Sequence, residues 1–186
     1  MTLEFAHAVV YVVDMDEMIS FYTDVLGFQV TDRGPVGGDG GREIVFLSNH
    51  PSHHHQIAFL NMRDEVEASN SVNHLAFRAS DLDAVKSTIA ALEADGRASK
   101  LSPLTHGNAW SIYFSDPEQN GVEIFCDSPF HVAQPQGRPW DTSLDEQQLT
   151  EWTREQFTDE QRFGPIEDFY ETHRAAIESG VGAQGS

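Results

Sequence analysis

The sequence predicts an α+β fold in which two paired β-α-β-β-β modules form one curved mixed sheet around a metal site, followed by a C-terminal arm and helices. Three observations carry this expectation. The first is a weak internal repeat with an offset of 67 residues, which maps His7 onto His74 and Asp14 onto Asp81. The second is that each repeat opens with a strand-like run and continues into an amphipathic segment, with a capping residue before it and a glycine after it. The third is a set of polar side chains inside apolar, strand-like runs: His7 within 5–11, His74 within 72–77 and Glu123 within 121–125.

The elements follow in chain order. After the opening strand, an Asp14 N-cap starts a helix that carries Met18, Ile19, Tyr22, Val25 and Leu26 to Gly27, apolar at helical spacing. A second helix is expected from Ser80 through Leu82, Val85, Ile89 and Leu92 to Gly96. Strand-like runs come after each helix, at 43–47 and 56–61 in the first half and at 111–114 and 121–126 in the second. Glycine and proline loops at 34–41 and 116–121 separate or flank them. On this reading residues 1–127 form one domain, with modules of about 1–66 and 67–127.

Beyond Asp127 the pattern changes. Prolines at 129, 135 and 139 without any period predict an arm that wraps the surface. Ser143-Leu144-Asp145-Glu146 and Thr158-Asp159-Glu160-Gln161 both fit a capping box, and the stretch after Pro165 is amphipathic. Trp140, Trp152 and Phe157 are expected to dock this 128–186 extension on the domain or on a second subunit, with 180–186 frayed.

Composition narrows the function classes. A net charge of −19 argues against nucleic acid or an anionic membrane as partner, because such a surface repels phosphate. A solubilising surface is the plainer reading of that charge, and a salt-adapted source is a second one. A lone cysteine, Cys126, excludes an internal disulfide and fits a reducing compartment, so the cytoplasm is the expected location. The N-terminus lacks a basic and apolar leader pattern, and no apolar run approaches membrane-spanning length.

The chemistry concentrates in His7, His74 and Glu123. Imidazole and carboxylate are costly among apolar neighbours unless something neutralises or hydrogen-bonds them, and a divalent metal serves all three. A single histidine on an apolar strand is more often a satisfied core residue, but the repeat makes His7 and His74 equivalent. Two imidazoles and one carboxylate around a metal with open positions form the facial arrangement used by non-haem Fe(II) oxygenases.

Paired modules with His, His and Glu resemble the vicinal oxygen chelate superfamily, and within it the single-domain type I extradiol ring-cleaving dioxygenases. The segments that carry the resemblance are 7–28, 72–83 and, above all, 105–123, which is similar to the extradiol signature: a histidine, a hydrophobic-Tyr pair, Asp-Pro, a turn and then the ligand Glu. Gln119 departs from the signature's usual glycine or proline, and Leu104 is a second departure. The arm at 128–140 resembles the C-terminal arm of these enzymes, so the likeness covers about 5–150.

The resemblance implies Fe(II), with Mn(II) suited to the same ligands, held by His7, His74 and Glu123. It also implies a catechol and O2 as substrates, a muconic semialdehyde-type product and a homo-oligomer. His55, in His55-Gln56-Ile57-Ala58-Phe59, matches the acid/base histidine of the family, His106 the histidine that hydrogen-bonds substrate, and Tyr113 the tyrosine that contacts a substrate oxygen. From the residues alone, His53 to His55 could be a solvated loop, His106 an exposed loop residue and Tyr113 an ordinary strand aromatic. Phe46, Phe59, Phe77 and Trp110 could line an aromatic pocket or belong to the core.

Three other functions compete. A glyoxalase-like isomerase or lyase would use Zn(II) or Ni(II) and a fourth ligand from the last strand of the first module. The strict repeat puts Gln56 at that position, and on an extended strand Gln56 and His55 face opposite sides. A thiol transferase of the fosfomycin-resistance type would need a basic pocket, and only 11 Lys and Arg exist. A non-enzymatic aromatic-ligand or drug-binding protein would need no metal triad.

Overall fold

The computed structural model describes residues 4–37, 41–66 and 71–179. Its elements run β1 (Ala8–Val12), α1 (Met15–Asp24), β2 (Gln29–Val36), β3 (Arg42–Ser48), β4 (Ile57–Asn61), β5 (Leu75–Arg78), α2 (Leu82–Asp95), β6 (Ser99–Thr105), β7 (Ala109–Ser115), β8 (Gly121–Asp127), β9 (Phe130–His131), β10 (Arg138–Pro139), α3 (Glu146–Phe157), β11 (Gly164–Pro165) and α4 (Ile166–Ser179). The β-α-β-β-β order therefore occurs twice. The expected single curved sheet is instead two hydrogen-bonded ladders, a four-stranded sheet β1-β4-β3-β2 and a five-stranded sheet β10-β6-β7-β8-β5. The first is mixed, with β1 parallel to β4 and β3 antiparallel to both β4 and β2. The short strand β10 from the arm pairs antiparallel with β6, Arg138 opposite Thr105 and Pro139 opposite Leu104.

The described chain divides into two compact units. One takes the residues up to Leu75 together with Thr88–Lys100 and Phe114–Val122; the other takes Ala76–Ser87, Leu101–Tyr113 and the chain from Glu123 onward.

In the first unit, α1 forms because Met15, Met18, Phe21 and Tyr22 recur on one face while Asp14 caps its start, its Oδ1 accepting from the Glu17 N–H at 3.0 Å. Asp16 and Glu17 in the first turn complement the helix dipole. The buried face meets Phe28 and Phe59, each edge-on to Tyr22, with ring centroids 5.7 and 4.9 Å from it. Phe59 is thus core, not pocket lining.

In the second unit, α3 and the arm contribute buried side chains and hydrogen bonds. Leu149 and Phe157 on α3 are fully buried, Trp110 Nε1 donates to Thr153 Oγ1 at 2.9 Å, and Trp140 Nε1 donates to the Ser111 carbonyl at 3.0 Å. Each such buried side chain contributes roughly 1.5–3 kcal/mol. Trp110 is therefore committed to holding α3 and is also core. Cys126 is buried, and burial followed by the Asp127 charge pushes its thiol up to about 12, which makes it inert as a nucleophile.

Several local expectations shift. Asp81, not Ser80, caps α2, accepting from the Ala84 N–H at 2.8 Å. The box at the start of α3 is Asp145 with Gln148, two residues past Ser143, because Asp145 is the residue whose carboxylate reaches the third helical N–H. Thr158 is the C-cap of that same helix and opens no new one. The segment 34–36, expected as loop, completes β2, and 38–40 lie outside the described residues. Exposed β2 shows no apolar alternation, and β6 contains Pro103, so neither gives a strand signal. Pro103 is tolerated because β10 pairs only with Leu104 and Thr105. The expected fraying of 180–186 also lies outside the described residues.

His131 yields a prediction of its own. Both ring nitrogens are buried without a hydrogen-bond partner, and the ring lies flat against Phe169 of α4, centroids 4.0 Å apart, with the His173 ring parallel to Phe169 at 5.7 Å. Burial, and to a lesser degree the Arg162 charge, holds this imidazole below its ordinary range. A folded value below the unfolded one means that the folded state binds fewer protons, so stability rises with pH and its contribution is complete above about 6.5. Amide protection in α4, corrected for intrinsic exchange, is expected to fall between about pH 7 and pH 5 in hydrogen exchange. His131→Phe should abolish that dependence; equal protection of the unaltered protein at both pH values would contradict it.

Candidate active site

His7 and His55 stand just before the two strands that pair in parallel, with Ala8 opposite Ile57 and the Ala8 N–H donating to the Gln56 carbonyl at 3.2 Å. That register brings the His7 and His55 rings to a centroid distance of 4.2 Å. Burial, then the neighbouring His7 and His54, holds His55 below the ordinary imidazole value, since a second positive charge here is disfavoured. Phe46, a member of the expected aromatic set, packs edge-on to the His55 ring at 4.9 Å. Gln56 turns elsewhere: its Oε1 accepts from Ser48 Oγ at 3.3 Å and from the Asn49 N–H at 3.0 Å.

His74 precedes β5, with Nδ1 2.7 Å from Asn73 Oδ1. Gly121, the first residue of β8, lies against this pair; a Cβ there would come within 2.2 Å of the Asn73 carbonyl oxygen and 3.2 Å of His74 Cβ. Only glycine permits that approach.

Glu123, Ser111, Tyr113 and His106 form a second group. Glu123 on β8 is only 7% exposed and accepts from Ser111 Oγ at 2.6 Å. Ser111 and Tyr113 share one face of β7 by strand alternation. Burial first, then the hydrogen bond and charge of Glu123, lift the Tyr113 phenol well above its usual range, so it keeps its proton at any physiological pH. Tyr113 Oη lies 2.8 Å from His106 Nε2, and His106 Nδ1 contacts the Gln136 carbonyl oxygen.

His106 is held by its turn. Thr105 Oγ1 donates to the Ala109 carbonyl and accepts from the Gly107 N–H, while Gly107 adopts φ +81°, where a Cβ would strike Val132 at 2.5 Å.

The Asp-Pro turn preceding Glu123 is built on two buried carboxylates. Asp116 Oδ1 accepts from the N–H groups of Glu118 and Asn120 at 3.0 and 2.9 Å, and Oδ2 accepts from Asn120 Nδ2 and Tyr22 Oη. Glu118 Oε1 accepts from the Val13 and Asp14 N–H groups at 2.8 and 2.7 Å, tying the turn to the start of α1. Gln119, where the signature usually has glycine or proline, sits at φ +64°. A left-handed non-glycine residue costs about 1 kcal/mol, which the four bonds to Asp116 offset.

Of the six residues expected from sequence, the structure brings His7 to His55, Tyr113 to Glu123, and His106 to Tyr113. Among the described residues, no three His, Cys, Asp or Glu side chains are grouped so that they could hold a metal ion. In chemistry the His7, His74 and Glu123 set, two imidazoles and one carboxylate, suits a divalent ion. Sequence reasoning missed Ser111, though its position two residues before Tyr113 on an alternating strand could have flagged it, and it missed the arm residues behind His106. A cavity of about 720 Å³ lined by Tyr11, Arg63, Val72 and Leu75 in the first unit contains none of the six.

Two β-α-β-β-β modules bearing these residues define a vicinal-oxygen-chelate type of protein. The profile of the Glyoxalase/Bleomycin resistance protein/Dioxygenase superfamily matches residues 4–124, and the chain belongs to that superfamily. It is 24% identical over 131 residues to metapyrocatechase of Pseudomonas sp. (strain CF600), covering 69% of this chain and 41% of that one. It is 32% identical over 121 residues to biphenyl-2,3-diol 1,2-dioxygenase of Metapseudomonas furukawaii, covering 63% and 38%. The chain thus spans about two fifths of the length of these relatives. Among solved structures, the fosfomycin resistance protein FosX of Listeria monocytogenes complexed with Mn(II) and sulfate aligns with a TM-score of 0.53 at 17% identity, over 68% of this chain and 93% of that one. That likeness shows the fold alone. Among the described residues, no helix is long and apolar enough to cross a membrane.

Proposed function

We propose that the protein is an extradiol catechol dioxygenase, cleaving a catechol-type ring with O2 to a muconic semialdehyde-type product, with 1–127 as its catalytic domain. The observation that carries this reading is the Tyr113–His106 pair, 2.8 Å apart and set beside the buried Glu123. An isomerase of the glyoxalase type would have no task for that pair. Gln56, the fourth ligand such an isomerase would draw on, is engaged by Ser48 and Asn49, whereas His55 lies against His7. The distant relatives whose names denote catechol and biphenyl-diol dioxygenases support the same reading.

His7, His74 and Glu123 would hold Fe(II), or Mn(II), and when bound the ion would supply a Lewis acid that anchors the diol oxygens and activates O2. The protein's own groups do the rest. Tyr113 stays a neutral phenol and contacts a substrate oxygen without adding charge. His106 fixes that phenol from behind. His55, held below its ordinary value, is neutral near pH 7 and can accept a proton from the diol and return it. Phe46 beside His55 offers a ring face on which an aromatic substrate can pack.

Anaerobic reconstitution with Fe(II), followed by catechol, 3-methylcatechol or 2,3-dihydroxybiphenyl and O2, is expected to give a yellow ring-opened product. The absence of product from all of these, together with consumption of the methylglyoxal–glutathione adduct, would overturn the proposal in favour of the isomerase.

A further inference from the structure

The C-terminal arm does more behind His106 than cover the sheet. A carbonyl oxygen can only accept, so the contact between His106 Nδ1 and the Gln136 carbonyl requires the proton to be on Nδ1. In the neutral ring, Nε2 is then a bare acceptor. Tyr113 has one phenolic proton and two acceptors within reach, His106 Nε2 and the Glu123 carboxylate. Whether His106 competes with Glu123 for that proton therefore depends on which tautomer His106 adopts.

One side chain secures the contact that sets the tautomer. Gln134 Nε2 donates to the His106 carbonyl at 2.8 Å, while Gln134 Oε1 accepts from the Gln136 N–H at 2.9 Å. A single amide thus clamps the two backbone segments whose separation decides whether His106 Nδ1 reaches the Gln136 carbonyl. The Gln136 side chain adds a further tie, donating to the Ala133 carbonyl at 3.1 Å and to Glu160 of the turn after α3.

We propose that Gln134 is a positioning residue: by clamping the arm to the His106 backbone it locks His106 with Nδ1 protonated and Nε2 free to accept from Tyr113. This rests on the reading of Tyr113 as the group that meets a substrate oxygen. With its proton drawn toward His106, the phenol presents lone pairs to an incoming diol hydroxyl, and Glu123 is relieved of one donor.

The test reads the tautomer directly. In two-bond nitrogen–proton correlation spectra of the full-length protein with ¹⁵N-labelled histidine, the His106 signals are assigned by their loss in His106→Gln. The expected pattern is a protonated Nδ1 and a bare Nε2, kept in Tyr113→Phe and scrambled in Gln134→Ala. In the ring-cleavage assay, Gln134→Ala should lower kcat by about tenfold with a smaller change in KM, as for other groups that orient a site residue. A protonated Nε2 in the unaltered protein, or an unchanged tautomer in a natively folded Gln134→Ala, would overturn the proposal. If no catechol is cleaved by the unaltered protein, the dioxygenase reading fails, while the spectra still decide the tautomer and the role of Gln134.

Discussion

Asp116→Ala is expected to destabilise the protein by about 3 kcal/mol, measured by denaturant unfolding at constant m-value, because it leaves buried donors without an acceptor. Those donors are the N–H groups of Glu118 and Asn120, the Asn120 amide and the Tyr22 hydroxyl. Asp116 itself is fully buried, and the turn it organises must also hold Gln119 in a left-handed conformation. Burial lifts the Asp116 carboxyl above its ordinary range, although bonds from Asn120, Glu118 and Tyr22 pull the other way. A raised folded value means that this group favours the fold most at acid pH, and its contribution declines as pH rises through the folded value. Asp116→Asn keeps the Oδ1 acceptor for the Glu118 and Asn120 N–H groups but turns an NH2 donor toward the Asn120 amide, so its cost should be smaller, about 1–2 kcal/mol. Equal losses for the two variants would show that the Oδ1 bonds to the Glu118 and Asn120 N–H groups do not organise the turn.

Glu123→Gln is expected to abolish stoichiometric metal uptake and to lower kcat/KM for ring cleavage by on the order of 10³-fold, equivalent to about 4 kcal/mol. The substitution preserves volume and an acceptor for Ser111 Oγ, so the buried contact at 2.6 Å survives while the anion is lost. Metal analysis after Fe(II) loading, set beside the melting temperature, separates loss of a ligand from loss of fold. Ser111→Ala should act more weakly, by roughly 10–100-fold, as expected for a group that orients a ligand without being one. Full metal loading and turnover in Glu123→Gln would remove this carboxylate from the proposed site.

The module order and the first helix were legible because their signals are local. Asp14 caps α1, and the apolar spacing of Met18 and Tyr22 marks its buried face. The helix starts at Ser80 and Ser143 came out one and two residues early, since neighbouring Ser and Asp both suit a cap and only backbone geometry selects between them. The strands β2 and β6 were illegible because an exposed or proline-bearing strand carries no alternation. Phe59 and Trp110 could not be assigned to core or pocket from strand period alone; Tyr22 and Thr153, distant in sequence, decide it.

For the site, the sequence by itself determined which residues could do chemistry: two repeat-related histidines, a carboxylate in an apolar strand, and the His55, His106 and Tyr113 that the family signature marks. Tertiary structure alone decided their company. Parallel pairing of β1 with β4 set His55 against His7 and left Gln56 to Ser48 and Asn49. Strand alternation on β7 set Ser111 and Tyr113 toward Glu123, and the arm reached back to His106 from 28 residues away through Gln134. Residue type limits what a side chain can donate, accept or ligate. Which partner it meets depends on hydrogen-bond register and packing between segments far apart in the chain, and no local pattern encodes that.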